Sequence, residues 1–156
     1  MSFNRLKIII FSLVFILTSS MATNALEYQD WTPLLPAKIG ELDKSGEPTG
    51  MNKEESGKAW SALEQQYSDS QGNEIKLRIL SGPTAPGVQE FKSLQEVSLK
   101  NSEREVKTLE IYGYRAVLVL NKKKEKNNLL ISPCDETIVI ISTSSFDNEE
   151  DITSLA

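Results

Sequence analysis

The chain has 156 residues, with 22 Asp and Glu against 17 Lys and Arg, one cysteine and no histidine. Without histidine it has no Ser-His or Cys-His nucleophilic machinery and few routes to a zinc site, and one cysteine excludes an internal disulfide. A net charge of −5 repels nucleic-acid phosphates and anionic headgroups, which sets nucleic-acid binding aside.

The first residues have the three parts of a secretory signal. Arg5 and Lys7 give a positive start, Ile8 to Leu17 is apolar apart from Ser12, and Thr18 to Ala25 is small and polar. The apolar run is about half of the roughly 20 residues a spanning helix needs. Ala25 and Thr23 are the small residues a signal peptidase reads, so cleavage is expected after Ala25, with Ala22 and Ser20 as a second choice. An uncleaved anchor is the alternative. A lipid anchor would need a cysteine just after the apolar run, and the sole cysteine is Cys134. The expected organisation is a signal peptide over residues 1–25 and one domain over 26–156, with no stable membrane insertion after cleavage. Without the two basic residues of the leader, 15 basic residues face 22 acidic ones, a net charge of −7. The single cysteine and the absence of any Asn-x-Ser/Thr acceptor point to a bacterial protein, periplasmic or secreted.

Residues 26–40 gather Trp31, Leu34 and Leu35 around two prolines; Asp30 is expected to cap one helical turn that Pro36 ends. Residues 40–58 are polar and glycine-rich and read as a loop, with at most a short extended piece. Trp60 to Tyr67 is predicted as a strand, with a helix as the other drawing, and SDSQGN as the turn after it. In Glu74 to Leu80, Ile75, Leu77 and Ile79 alternate with Lys76 and Arg78, the period of a half-buried strand. After the break at GPTAPG, Val88, Phe91, Leu94 and Val97 recur every three residues, which predicts a helix to about Lys100 behind Pro86. Residues 103–112 and Tyr114 to Leu120 read as strands about Gly113, and Lys122 to Asn128 as a turn. Leu129 to Ser132 returns as a strand, and Pro133 to Glu136 turns again. Thr137 to Thr143 is a β-branched run fit for the centre of a sheet. Asp147 with Glu150 resembles a capping box for a terminal helix over Asn148 to Ala156. The order is a hairpin, a helix, an antiparallel meander and a terminal helix. That is an α+β fold with helices packed on an antiparallel sheet.

Three stretches carry a resemblance. They are Trp31-Thr32-Pro33-Leu34-Leu35-Pro36, Tyr67 closing a hairpin strand, and Gly113-Tyr114-Arg115-Ala116 opening a meander. With the leader in front, the layout over residues 31–156 is similar to small exported bacterial proteins of unknown function and to the PsbP-like and DcrB-like α+β proteins. The resemblance implies a non-enzymatic accessory or binding protein.

The candidate chemistry is thin. Cys134 sits beside Asp135 and Glu136, which favour the protonated, unreactive thiol. Asp147, Glu149, Glu150 and Asp151 lack the spacing and glycine of a calcium loop and suit a helix start instead. Asp69 with Glu74 is a carboxylate pair of the kind any acidic chain offers, and Ser81-Gly82 and Ser144-Ser145 have no nucleophile-elbow context. Trp31 and Trp60 are read as core, with a ligand-facing pair as the other use. The one dense basic patch is Lys122, Lys123, Lys124 and Lys126, expected in a hairpin turn as a solvated tip or as a docking point for an acidic partner or an anionic envelope surface. No cofactor or metal is expected. The leading expectation is an exported, non-enzymatic binding or accessory protein acting on a protein or small ligand in the cell envelope. The alternatives are a small-ligand carrier with an apolar pocket between helix and sheet, or a hydrolase that works with carboxylates alone.

Overall fold

The computed structural model describes residues 27–97, 99–123 and 126–144. The cleavage position Ala25, Lys124, the run 147–151 and the expected terminal helix lie outside the described residues.

A short helix α1 (Tyr28–Trp31) runs into a 3-10 turn (Thr32–Leu34). Then come strands β1 (Lys38–Ile39), β2 (Leu42–Glu55), β3 (Lys58–Ser68) and β4 (Glu74–Ser81). Helix α2 (Pro86–Gln95) follows, and then β5 (Leu99–Lys100), β6 (Arg104–Ile111), β7 (Tyr114–Asn121), β8 (Asn127–Cys134) and β9 (Thr137–Thr143). All nine strands join one sheet in the order β1-β2-β3-β4-β9-β8-β7-β6-β5, antiparallel throughout. The first four strands make one meander and the last five another. After β4 the chain crosses over through α2 to the far edge, then works back until β9 lies against β4.

Alternation along the strands loads both faces of this sheet. One face carries Leu63, Tyr67, Ile75, Leu77, Ile79, Leu118, Leu129, Ile131, Val139 and Ile141. The segment around Trp31, Leu35 and Ile39 packs into that layer. The opposite face carries Trp60, Leu80, Val106, Val117, Val119, Leu130, Ile138 and Ile140, covered by Val88 and Phe91 of α2. At Gly87 the helix backbone comes so close that an added Cβ would stand 3.1 Å from Leu80 and 3.2 Å from Ile140. Every residue of β9 is buried, because β9 has a strand on each side and a layer on each face. The expected central position of Thr137 to Thr143 is the one observed.

The α+β expectation is wrong: the fold is mainly β, with two short helices among the described residues. Two misreadings account for most of this. Residues 40–58 are not a loop, since β2 spans fourteen residues. Its side chains are almost all exposed, so it shows no apolar alternation; pairing with β3 from Asp43↔Ser68 to Glu55↔Lys58 is what holds it extended. Gly46 and Pro48, which read as loop punctuation, fall where the register shifts between Ser45 and Thr49. The tight turn into β3 has positive φ at Ser56 (53°) and Gly57 (71°), the signature of a two-residue hairpin loop. The second misreading is the helix, which stops at Gln95, not near Lys100. Val97 is 39% exposed, and Leu99 starts a short edge strand instead of a further helical turn.

Smaller corrections concern caps and ends. Asp30 is the third residue of α1, not its cap. Its carboxylate accepts the N–H of Glu27 at 3.1 Å, closing a capping box whose other half is Glu27 itself. β8 extends through Pro133 and Cys134, so the turn before β9 is only Asp135 and Glu136. Trp31 and Trp60, 1% and 7% exposed, are core residues as expected.

Candidate functional site

The sheet face that carries α2 is not covered from end to end. Beyond the helix, polar residues of β6, β7 and β8 replace the apolar ones, and an open groove of about 890 Å³ lies there. It is lined by Glu90 of α2, Glu103 and Arg104 at the start of β6, Val119 and Asn121 of β7, Lys123 and Lys126 of the following turn, and Asn128 of β8.

Local hydrogen bonds fix these positions. The side-chain oxygen of Asn101 accepts the N–H groups of Glu103 (2.8 Å) and Arg104 (2.7 Å), and the Asn101 N–H returns to the Arg104 carbonyl at 3.0 Å. Such a turn is what a short acceptor side chain makes where a strand begins. Arg104 then shares the α2 face with Val106, two residues on. The β7–β8 connection is tied as firmly. Asn127 Oδ1 accepts the N–H of Asn121 at 2.7 Å, and Asn121 Nδ2 donates to the Lys126 carbonyl at 3.0 Å. Asn128 Oδ1 accepts from Ser142 Oγ at 2.6 Å, so its amide NH₂ is not engaged by that bond.

Of the lysine patch, Lys122, Lys123 and Lys126 are among the described residues, and each has a partner. Lys122 Nζ donates to the Asn101 carbonyl at 2.9 Å, Lys123 pairs with Glu103, and Lys126 pairs with Glu74 at 3.4 Å. What the groove leaves without a protein partner is different. Among the described residues, the Arg104 guanidinium makes no hydrogen bond or ion pair, and its Nε is shielded from solvent. The Glu90 carboxylate also has no ion pair among the described residues, and the two do not pair with each other.

No family model, curated protein or solved structure matches this chain.

The other candidates are occupied by structural work. Asp69 accepts the N–H groups of Gln71 (2.9 Å) and Asn73 (3.0 Å), and the Asn73 amide bonds its other oxygen at 2.7 Å. The Asn73 side chain, followed by these backbone donors, holds the Asp69 carboxyl below its usual range. Its sequence companion Glu74 faces Lys126 instead. Ser81 shares a 2.8 Å hydrogen bond with Thr137 across the β4–β9 pair. Cys134 is half-buried at the end of β8, where its carbonyl accepts from Ser132 Oγ at 2.9 Å. Arg115 lies at the other end of α2, bridging Gln95 (3.1 Å) and Asp135 (3.4 Å). Among the described residues no cluster of three metal-ligating side chains occurs, and no helix is long and apolar enough to cross a membrane.

Sequence reasoning found the lysine turn and missed Glu90, Arg104 and Asn128. Each of the three is unremarkable in its own segment. They meet because the crossover through α2 brings the second meander back under the helix.

Proposed function

We propose that the protein is an exported, non-enzymatic binding protein, periplasmic or secreted, that takes a small polar ligand in the groove between α2 and the β7–β8 turn. The observation that carries this reading is Arg104. A guanidinium group held at the start of a strand, with its Nε out of solvent and no protein acceptor, carries an unmet hydrogen-bonding demand. The two ends of the guanidinium are not shielded in this way, and they are the donors open to a ligand oxygen. Concave, largely preformed walls with a few fixed polar groups are the usual setting for such a ligand.

The sequence supports the non-enzymatic half of the reading. With no histidine, Ser-His and Cys-His nucleophilic machinery is missing, and the groove's Glu103 and Lys123 are engaged with each other. The interface of α2 with the sheet is filled by Val88, Phe91, Leu80 and Ile140, so the ligand is placed in the open groove and not beneath the helix.

Native mass spectrometry of protein purified from the envelope of its own host tests the reading. Parent protein should carry residues 26–156 and a bound small molecule. Arg104→Gln should lose that molecule and still melt cooperatively, since the Arg104 side chain makes no hydrogen bond or ion pair among the described residues. Equal retention by both proteins, or turnover of esterase, glycosidase or peptidase substrates abolished by one carboxylate change, would overturn it.

A further inference from the structure

The groove holds two opposite charges on different walls, and each has no partner in the described protein. Arg104 stands at the start of β6, fixed by the Asn101 turn. Glu90 stands on α2, which Val88 and Phe91 fasten to the sheet. Buried packing fixes one wall and a hydrogen-bonded turn the other, and no ion pair joins Arg104 to Glu90. Val119 and Asn128 line the same groove, and the Asn128 oxygen is taken by Ser142 while its NH₂ makes no hydrogen bond among the described residues.

From this arrangement we infer that the ligand is a zwitterion with separated ends, a short peptide with free termini. This rests on the reading of the groove as a binding site. Its carboxylate sits on Arg104, because the planar guanidinium fork matches a carboxylate with two parallel hydrogen bonds. Its ammonium group sits at Glu90. The Asn128 NH₂ donates to a peptide carbonyl between the two ends. A phosphate or sulfate ion fits less well. Lys123 and Lys126 are paired with Glu103 and Glu74, so a dianion would meet one cation without an ion pair, Arg104, in a groove that also carries the Glu90 carboxylate. An uncharged sugar would leave both charges unanswered.

Calorimetric titration of the mature protein with trialanine, N-acetyl-trialanine, trialanine amide and inorganic phosphate tests the inference. Trialanine should bind, and capping either end should weaken it by about two- to fivefold, as expected for loss of a charge pair in an open groove. Glu90→Gln should weaken trialanine to the level of the acetylated peptide and leave the acetylated peptide unchanged. Arg104→Gln should do the same with respect to the amide. Equal affinity for free and capped peptides, phosphate binding tighter than trialanine, or Glu90→Gln weakening both peptides alike would overturn it. If no peptide binds while Arg104 still governs retention of a native ligand, the zwitterion is wrong and the binding groove stands. If Arg104→Gln changes nothing at all, both fail.

Discussion

The hydroxyl of Tyr67 donates to the carbonyl oxygen of Pro36 at 3.0 Å. That single bond fastens the Trp/Leu/Pro segment to β3 across 31 residues of chain. It lies in the layer where Tyr67 and Trp31 are 0% and 1% exposed. Burial pushes the Tyr67 phenol up to about 12 from its ordinary value of 10.0.

Because the folded phenol titrates above the unfolded one, its contribution is fully present below pH 10.0 and is lost as pH rises toward about 12. Tyr67→Phe should cost about 0.5–1.5 kcal/mol at neutral pH through the lost bond. It should also reduce the alkaline fall in stability. Urea unfolding at pH 7 and across the alkaline window checks both effects. An alkaline fall as steep as the parent's would assign it to other groups.

At the opposite edge, Glu105 accepts from Lys107 at 3.1 Å with Lys100 at 3.6 Å. The Lys107 hydrogen bond first, and then the charge of Lys100, hold this carboxyl below its ordinary 4.5. Here the sign is reversed. The folded value lies below the unfolded one, so the stabilisation is present above pH 4.5 and is lost as pH falls through the depressed value. Glu105→Gln should flatten the acid limb of stability against pH. Denaturant midpoints from pH 7 down to pH 3 measure it, and an acid limb identical to the parent's would refute it.

Ile140 is 3% exposed in the middle strand and faces Gly87 of α2. Ile140→Asp should abolish the cooperative melt, since it places an unpartnered charge between sheet and helix. Ile140→Val should keep the fold at a cost of about 0.5–1.5 kcal/mol. A melt for the aspartate variant close to the parent's would contradict the position of β9.

Gly82 has φ of +120°, and a Cβ there would stand 2.5 Å from the Ala59 carbonyl oxygen and 2.6 Å from Trp60 Cβ. Its N–H donates to the Glu136 carbonyl at 2.8 Å, so the backbone has little freedom to move away. Gly82→Ala should therefore destabilise by at least the roughly 1–3 kcal/mol of a strained backbone. Gly46→Ala also sits at positive φ but meets no atom within 4 Å, so it should cost less. Paired melts rank the two, and equal losses would remove the steric argument.

The strands that could be read in the sequence are those whose environment is written into their side chains. Ile75, Leu77 and Ile79 alternate because β4 has one layer of core on that face, and the run in β9 is continuous because both of its faces are covered. β2 could not be read this way. Its exposed residues carry no record of burial, and the information that makes it a strand lies in β3. The end of α2 was misplaced for a related reason. Val97 continues an apolar spacing by three, but the chain has already left the helix there. The groove was invisible because a free charge has no sequence signature: Arg104 looks the same whether it is paired or not.

The crossover through α2 also sets an order of events. Every strand pair but one joins neighbours in the chain; β4 and β9 alone join distant segments, and Ser81 and Thr137 on that seam are 56 residues apart. A chain delivered from its N-terminus therefore holds the edge of β4 open until almost all of the chain up to residue 143 has followed. Contacts of such separation are slow to close. Until then Ile75, Leu77 and Ile79 stand on an unpaired edge. The dangerous interval for this protein is the time before β9 closes on β4, when a chaperone would protect it most.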